Sequence, residues 1–287
     1  MAVEKALILA AGLASRLMPA TKAVSKPMLP LVNKPTIQYL VEEIVQSGIH
    51  DVAIVVNKDE TLVKNHFTKN EKLNSFVKER GKEELLDVFA KVESLADITY
   101  IEQEKPLGPG DAVLKARPFL EEKPFALLYS DDIVISKTPA TRQLIDSYEE
   151  CNCPVVAVTP KPDAELKHFG VIKAKTDPDV NPILVEAIVE KPKDNPPSNL
   201  AVIGRYILTN ETMKILSNIP YNMGHELLVT TALEEHVRKE KLYANNLKGT
   251  WYTTGKKLDY VVANIACALE NPELKEPLMS YMAKVVK

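Results

Sequence analysis

Cysteine and long hydrophobic runs are scarce in this 287-residue sequence. The three cysteines, Cys151, Cys153 and Cys267, are too few for a disulfide framework and favour a reducing compartment. Cys151 and Cys153 are spaced for metal ligation, but without a second Cys/His pair we interpret them as loop or core thiols. No apolar stretch reaches the ~20 residues that cross a bilayer, and nothing has the pattern of a signal peptide. We therefore expect a cytoplasmic protein that does not bind membranes.

An excess of charge of one sign is also missing, since 36 basic and 39 acidic side chains leave a formal net charge of −3. This balance gives no general attraction to nucleic acid or to an acidic membrane surface. An anionic substrate would therefore need a local cluster of basic side chains and backbone amides. The length suits one large domain or two modest ones with a substantial core.

Short β-branched apolar runs alternate with helical patterns in the first half of the chain. Strands buried on both faces are predicted at 5–10, 51–56, 98–101, 125–128 and 155–159. Between the first two, apolar residues from Ile37 to Val45 follow helical spacing, with Thr36 as the predicted cap and Gly48 as the stop. Such repeats predict an α/β fold, Rossmann-like, with a mixed and mainly parallel sheet flanked by helices. Ligands of such sheets bind at the carboxyl ends of the strands.

The second half changes to successive strands, which are predicted at 169–174, 183–189 and 201–208. The tail is predicted to be helical from Glu226 to Arg238, again after Lys256, and around 272–285. No linker is long enough to separate independent units. We therefore predict a single domain over 1–287.

A turn of small residues follows the first strand directly, at Ala10, Ala11, Gly12 and Leu13. Small residues let the backbone approach a ligand closely, and glycine adopts conformations that other residues avoid. Exposed amides in such a turn bind phosphate oxygens, and Arg16 adds a fixed charge. The segment is neither a P-loop nor a dinucleotide fingerprint, and a structural turn accounts for the glycine equally well.

The turn, Arg16 and the run KPMLP that begins at Lys26 together resemble the opening signature of the sugar-nucleotide pyrophosphorylases. The segments PATKA at 19–23 and KPTIQY at 34–39 are most similar to the bacterial-type UTP–glucose-1-phosphate uridylyltransferases. The resemblance extends from about residue 3 to about residue 270. It implies a single nucleotidyltransferase domain, with a nucleotide-binding part at about 1–165, a sugar-binding part at about 166–255 and C-terminal helices at 256–287.

The resemblance also implies a reaction and its partners. UTP and glucose 1-phosphate would give UDP-glucose and pyrophosphate with Mg²⁺ as cofactor, and the protein would be a homodimer or homotetramer that binds no nucleic acid. Phosphoryl transfer of this kind depends on positioning and charge neutralisation.

Five further motifs carry the resemblance along the chain. The run QEKPLGPGDA at 103–112 resembles the family's nucleoside loop with Asp111 in place of histidine, and FALLYSDD at 125–132 resembles a strand that ends in Gly-Asp-Asp. The runs VEKP at 189–192 and NLAVIGRY at 199–206 match the family closely, and HFGVI at 168–172 resembles its Tyr-Gly-Val-Ile. Taken alone, the acidic pair fits a turn cap and VEKP fits a surface ion pair.

The resemblance assigns roles residue by residue. The implied catalytic residues are Arg16, Lys26, Asp131 and Lys191, with Asp131 also the Mg²⁺ ligand. The implied nucleotide-binding residues are Ala10, Ala11, Gly12, Leu13, Gln103, Pro106, Gly108 and Asp132. The implied sugar-binding residues are Gly170, Glu190, Lys191 and Gly204.

Two departures leave alternatives open. The family's Glu-x-Gln-Leu-Thr-Asp is ELLVTT at 226–231, and its Tyr-Asp-x-Gly is YTTG at 252–255, so Thr231 and Thr253 replace carboxylates. A regulatory paralogue that binds UDP-glucose is one alternative. An enzyme for dTTP or another sugar phosphate is the other, because one methyl group changes binding by only ~1–3 kcal/mol.

Overall fold

The computed structural model describes residues 1–220 and 225–285. The strands in chain order are β1 (Lys5–Leu9), β2 (Pro30–Leu31), β3 (Lys34–Pro35), β4 (Asp51–Asn57), β5 (Asp97–Gln103), β6 (Phe125–Tyr129), β7 (Asp132–Ile135), β8 (Val155–Pro160), β9 (Gly170–Ala174), β10 (Ile183–Glu190), β11 (Leu200–Leu208), β12 (Tyr243–Asn246) and β13 (Thr250–Thr253). The helices are α1 (Thr36–Gln46), α2 (Leu62–Phe67), α3 (Glu71–Glu79), α4 (Glu84–Glu93), α5 (Pro109–Lys115), α6 (Arg117–Leu120), α7 (Ala140–Cys151), α8 (Asp163–Leu166), α9 (Asn210–Asn218), α10 (Val229–Lys239), α11 (Lys257–Glu270) and α12 (Pro272–Val285).

Nine strands form one mixed sheet in the order β5-β4-β1-β6-β11-β8-β12-β10-β9. The ladders from β5 to β6 are all parallel, whereas β11 is antiparallel to both β6 and β8, and β10 is antiparallel to β12 and β9. Only β10 and β11 therefore run against the other seven strands. This confirms the predicted mixed, mainly parallel α/β sheet.

The central strands are buried on both faces, as their continuous apolar runs predict. Alternate residues point to opposite faces, so Ile8 and Leu128 pack into one hydrophobic core while Leu7 and Leu127 pack into the other. Strand β11 is buried along its whole length, because it lies between β6 and β8 with helices on either side. The sheet thus forms a rigid frame whose strand ends carry the candidate site.

Two predicted helix boundaries are wrong. Thr36 is the first residue of α1 rather than its cap, and its hydroxyl donates to the Leu29 carbonyl instead. Helix α10 begins at Val229 rather than Glu226, because the preceding segment pairs with the loop before α5: the Leu227 amide donates to the Leu107 carbonyl at 2.9 Å. The predicted stop at Gly48 is confirmed by its left-handed backbone, with φ +92°.

A small second sheet holds the end of the chain against the main one. Strand β13 is antiparallel to β7, with Thr253 opposite Asp132. Thr254 then donates from its amide to the Asp131 carbonyl at 2.7 Å. This pairing carries residues far apart in sequence to the carboxyl end of β6.

The thiols of Cys151, Cys153 and Cys267 are free. Across residues 1–220 and 225–285, no three His, Cys, Asp or Glu side chains gather into a metal cluster. No helix in these ranges has both the length and the apolar character needed to cross a bilayer. The division into nucleotide-binding, sugar-binding and C-terminal parts stays a prediction.

Candidate active site

A cleft of about 990 Å³ opens at the carboxyl ends of β1, β5 and β6. Every site residue predicted from the sequence lines it except Ala10. Ala10 is buried behind the wall, where its amide donates to the Val55 carbonyl at 2.8 Å and ties β1 to β4. Motifs that lie far apart in the sequence therefore line one cleft, as expected for ligand sites in such sheets.

The turn after β1 presents exposed Gly12 and Leu13 to the cleft, with Ala11 beneath them. Gly12 has an ordinary backbone conformation, whereas Ala14 has the left-handed one with φ 50°. Of the two properties that the sequence suggests for Gly12, close approach of the backbone and an unusual conformation, the structure therefore does not show the second. No atom lies within 4 Å of the position of a Cβ on Gly12, so its role is to leave space beside the backbone.

Lys26 and Asp131 form an ion pair across the cleft floor, with Nζ 2.8 Å from Oδ2. Lys26 is held by the tight turn Lys26–Met28, in which Pro27 is buried. Arg16 also lines the cleft and is exposed. The ion pair thus places one cation and one anion side by side in the cleft.

Asp132 is buried beside this pair, and its Oδ2 accepts a hydrogen bond from the Gly204 amide at 2.7 Å. Burial and the neighbouring charge of Asp131 raise the pKa of Asp132 to about 7. A Cβ on Gly204 would lie 2.5 Å from Asp132 Oδ2 and 2.5 Å from Tyr129 Cβ. Position 204 therefore has no room for a side chain. The Gly204 amide is bound to Asp132.

A buried ion pair supports this floor from behind. Arg205 is 1% exposed and binds Glu43 of α1 through two hydrogen bonds of 3.0 and 2.9 Å. The same guanidinium donates to the carbonyls of Asp132 and Gly204. Glu43 also accepts from the Thr141 hydroxyl and amide at the start of α7. The pair therefore links two helices to the two strands that carry the site.

The predicted sugar end contains Glu190 and Lys191, whose side chains pair with Nζ 3.0 Å from Oε1. Lys191 has φ 47°, and its amide donates to the Phe169 carbonyl, which turns the chain out of β10. A Cβ on Gly170 would lie 3.2 Å from Glu190 Oε2, so the glycine leaves room for this carboxylate.

Sequence reasoning missed several residues that line the cleft. The rings of Tyr129 and Tyr206 lie with their centroids 5.7 Å apart and are tilted by 44° to each other. Both residues line the cleft and belong to the motif runs at 125–132 and 199–206, which is the signal that could have found them. Trp251 lies under the ammonium of Lys161 at 4.4 Å from the ring centroid. No local signal connects that pair, because the two residues are brought together only by the fold.

Both segments that depart from the family pattern reach the cleft. Thr253 and Leu228 line it, whereas Thr231 lies on α10 and is not among the lining residues. A Cβ on Gly255 would lie 3.3 Å from Asp131 Oδ2 and 3.4 Å from Thr253 Oγ1, so both oxygens face the same small space.

The oxygen atoms of Asp131 and Thr253 fit a Mg²⁺ ion that takes only a few of its ligands from the protein. Asp131 supplies one carboxylate, with Oδ2 already bound to Lys26, and Thr253 supplies a neutral hydroxyl. Mg²⁺ commonly binds one or two carboxylates and takes its remaining ligands from substrate phosphates and water. The residues therefore fit an ion held largely by a bound nucleotide.

A family model described as nucleotidyl transferase matches residues 5–269. The chain belongs to this nucleotidyl transferase family. It is 40% identical over 281 residues to a UTP–glucose-1-phosphate uridylyltransferase of Bacillus subtilis, covering 98% of this chain and 96% of that protein.

Solved structures of UDP-glucose pyrophosphorylases have the same fold as this chain. A UTP-bound UGPase from Acinetobacter baumannii superposes with a TM-score of 0.89 at 28% identity, covering 99% of each chain. A UDP-glucose pyrophosphorylase complexed with UDP-glucose gives a TM-score of 0.84 at 31% identity, covering 94% of this chain and all of that one. These likenesses confirm the resemblance predicted from the motifs.

Proposed function

We propose that this chain transfers the uridylyl group of UTP to glucose 1-phosphate and releases pyrophosphate. The single observation that carries the proposal is one cleft lined by Arg16, Lys26, Asp131 and Lys191, four residues that the motifs assign to this chemistry. The relatives named for the same reaction, and the solved structures with UTP and UDP-glucose bound, support it.

The reaction is an in-line displacement. A phosphate oxygen of glucose 1-phosphate attacks the α-phosphorus of UTP, an O–P bond forms, and the bond to the β-phosphate oxygen breaks with its electron pair leaving on pyrophosphate. No covalent intermediate with the protein is needed, so the residues act by orientation and charge.

Each end of the cleft takes one substrate in this proposal. The amides of the turn at Gly12 and the Arg16 guanidinium hold the triphosphate, and Lys26 neutralises charge near the α-phosphate. Lys191 aligns the sugar phosphate, and Glu190 accepts hydrogen bonds from glucose hydroxyls.

Mg²⁺ is part of the proposal, with Asp131 as its protein ligand. When bound, the ion would neutralise phosphate charge. The predicted homodimer or homotetramer and the cytoplasmic location stay predictions.

One assay tests the function against its alternatives. Purified protein is given UTP, dTTP, CTP, ATP or GTP together with glucose, galactose or mannose 1-phosphate, and pyrophosphate release is followed with and without excess chelator. The highest kcat/KM is expected for UTP with glucose 1-phosphate. A preference for dTTP would replace the proposed nucleotide, full activity in chelator would remove Mg²⁺, and binding of UDP-glucose without turnover would indicate a regulator.

A further inference from the structure

The base end of the cleft contains a hydrogen bond between Gln103, which the nucleoside-loop motif assigns to nucleotide binding, and Asp111, where this chain departs from that motif. Gln103, at the end of β5, donates from Nε2 to Asp111 Oδ2 at 2.7 Å and to the Gly108 carbonyl at 3.1 Å. Gln103 is only 6% exposed and lines the cleft. Asp111 stands where the resembling family has histidine, so the pair is a feature of this chain.

Both partners of the Gln103 amide are acceptors. A carboxylate and a backbone carbonyl offer only lone pairs, so the amide nitrogen must face them, whichever way a glutamine is first placed. The planar amide then directs Oε1 away from them. Within residues 1–220 and 225–285, this oxygen accepts no hydrogen bond from the protein.

The two acceptors are themselves held in place. Asp111 lies in the first turn of α5, where the helix dipole stabilises a negative charge. Gly108 has φ +107°, and a Cβ there would lie 2.7 Å from the Leu227 amide nitrogen, so the loop is pinned against the segment before α10. The Gly110 amide donates to the Leu227 carbonyl at 2.7 Å and closes the contact from the other side.

We propose that Asp111 is a positioning residue for base selection, which fixes the Gln103 amide so that Oε1 accepts a hydrogen bond from the imide N–H of a pyrimidine base. The inference rests on the proposed function, because it requires the base to lie at Gln103. Uracil and thymine carry an N–H at ring position 3, whereas cytosine carries a lone pair there. A fixed Oε1 accepts from the first two and repels the third.

The test compares UTP with CTP in Asp111→Ala, Asp111→Asn and the wild type. With Asp111→Ala the Gln103 amide keeps only the Gly108 carbonyl as an acceptor and is held less firmly, so the ratio of kcat/KM for UTP over CTP is expected to fall by up to about tenfold, the size of one lost hydrogen bond. The isosteric Asp111→Asn offers either a donor or an acceptor to Gln103, so a smaller fall is expected. Glu102→Ala is the matched control, because Glu102 precedes Gln103 but pairs with Lys64 at the surface.

Calorimetric titration of the same proteins with UDP and CDP provides a readout that does not require turnover. The same fall is expected in the ratio of the two affinities. An unchanged ratio in both Asp111 variants overturns the inference even if both nucleotides bind more weakly, because a purely structural role lowers both equally.

The two proposals fail in different ways. If the wild type releases no pyrophosphate yet prefers UDP to CDP, and Asp111→Ala loses that preference, the proposed reaction is wrong and the base-selection role stands. If the wild type turns over UTP and its preference survives in both variants, the reaction stands and the role of Asp111 is wrong.

Discussion

Lys26 Nζ lies 2.8 Å from Asp131 Oδ2, so the proposed phosphate-binding cation and the proposed metal ligand neutralise each other across the cleft. Their side chains are 14% and 30% exposed, which shields the pair only partly from solvent. In the proposed reaction, a bound triphosphate would offer Lys26 a second anionic partner and would leave more of the Asp131 carboxylate available to a cation. The proposed roles would therefore couple nucleotide binding to metal binding.

Lys26→Ala is expected to lower kcat with UTP and glucose 1-phosphate by about 10²–10³-fold, because removal of one positioned charge-stabilising group has that effect in enzymes. The side chain pairs with Asp131, whose carboxylate is 30% exposed and can be solvated when Lys26 is removed, so the melting temperature should change little. Steady-state kinetics and thermal unfolding measure the two effects. Lys72→Ala is the matched control, because Lys72 is exposed on α3 and does not line the cleft. Near-normal turnover by Lys26→Ala would remove Lys26 from the mechanism.

Thr253→Asp is expected to tighten metal binding. The new carboxylate would lie near Asp131 and add about 1 kcal/mol or more of attraction for a cation, which corresponds to about fivefold or more in affinity. Calorimetric titration with Mn²⁺ at a fixed UTP concentration measures the change, and the Mg²⁺ concentration for half-maximal activity gives a second readout. Thr253→Asn keeps the size without the charge and should behave like the wild type. Equal affinities in Thr253→Asp and Thr253→Asn would show that position 253 does not reach the ion.

The sequence predicts the sheet well because buried strands need continuous apolar runs, and such runs are local. The main-sheet strands β1, β4, β5 and β6 lie within two residues of their predicted ends. The gathering of Gly12 and Asp131 follows from the same fact, since parallel strands end at one edge.

Features that depend on tertiary contacts are not visible in the sequence. Arg205 and Glu43 are 162 positions apart, and nothing local indicates that they pair in the core. The start of α10 at Val229 is also set by a distant partner, because the segment before it hydrogen-bonds to the nucleoside loop instead of continuing the helix. Two properties were suggested for Gly12 from the sequence, and the structure shows the open space beside its backbone but not an unusual conformation.

The two cleft glycines Gly12 and Gly204 should respond differently to alanine. A Cβ on Gly12 meets nothing, so Gly12→Ala should leave the free energy of unfolding within about 1 kcal/mol of the wild type and raise KM for UTP. A Cβ on Gly204 collides with Asp132 and Tyr129, so Gly204→Ala should cost about 1–3 kcal/mol as an overpacked site. Urea unfolding and steady-state kinetics on both variants check this. Equal losses of stability in Gly12→Ala and Gly204→Ala would contradict the prediction that only the Cβ at position 204 collides with its neighbours.

The buried Glu43–Arg205 pair gives a pH-dependent prediction. Burial alone raises the pKa of Glu43, but the charge and hydrogen bonds of Arg205, with those of Thr141, hold it below its ordinary value of 4.5. A carboxyl whose pKa is depressed by folding stabilises the protein above its unfolded pKa, and the contribution is lost as pH falls through the folded pKa. Glu43→Gln leaves Arg205 buried without a counter-charge and should cost about 3–5 kcal/mol at neutral pH.

The free energies of unfolding of Glu43→Gln and the wild type should converge as the pH is lowered below 4.5, since the wild-type carboxyl then becomes protonated and loses its charge. Urea unfolding across this range measures the convergence. Asp146→Asn is the control, because Asp146 pairs with Arg142 at the surface with 60% of its side chain exposed, and such pairs contribute only about 0–1 kcal/mol. A constant difference between Glu43→Gln and the wild type at every pH would mean that the Glu43 charge does not stabilise the fold, and that Arg205 is held by its carbonyl contacts alone.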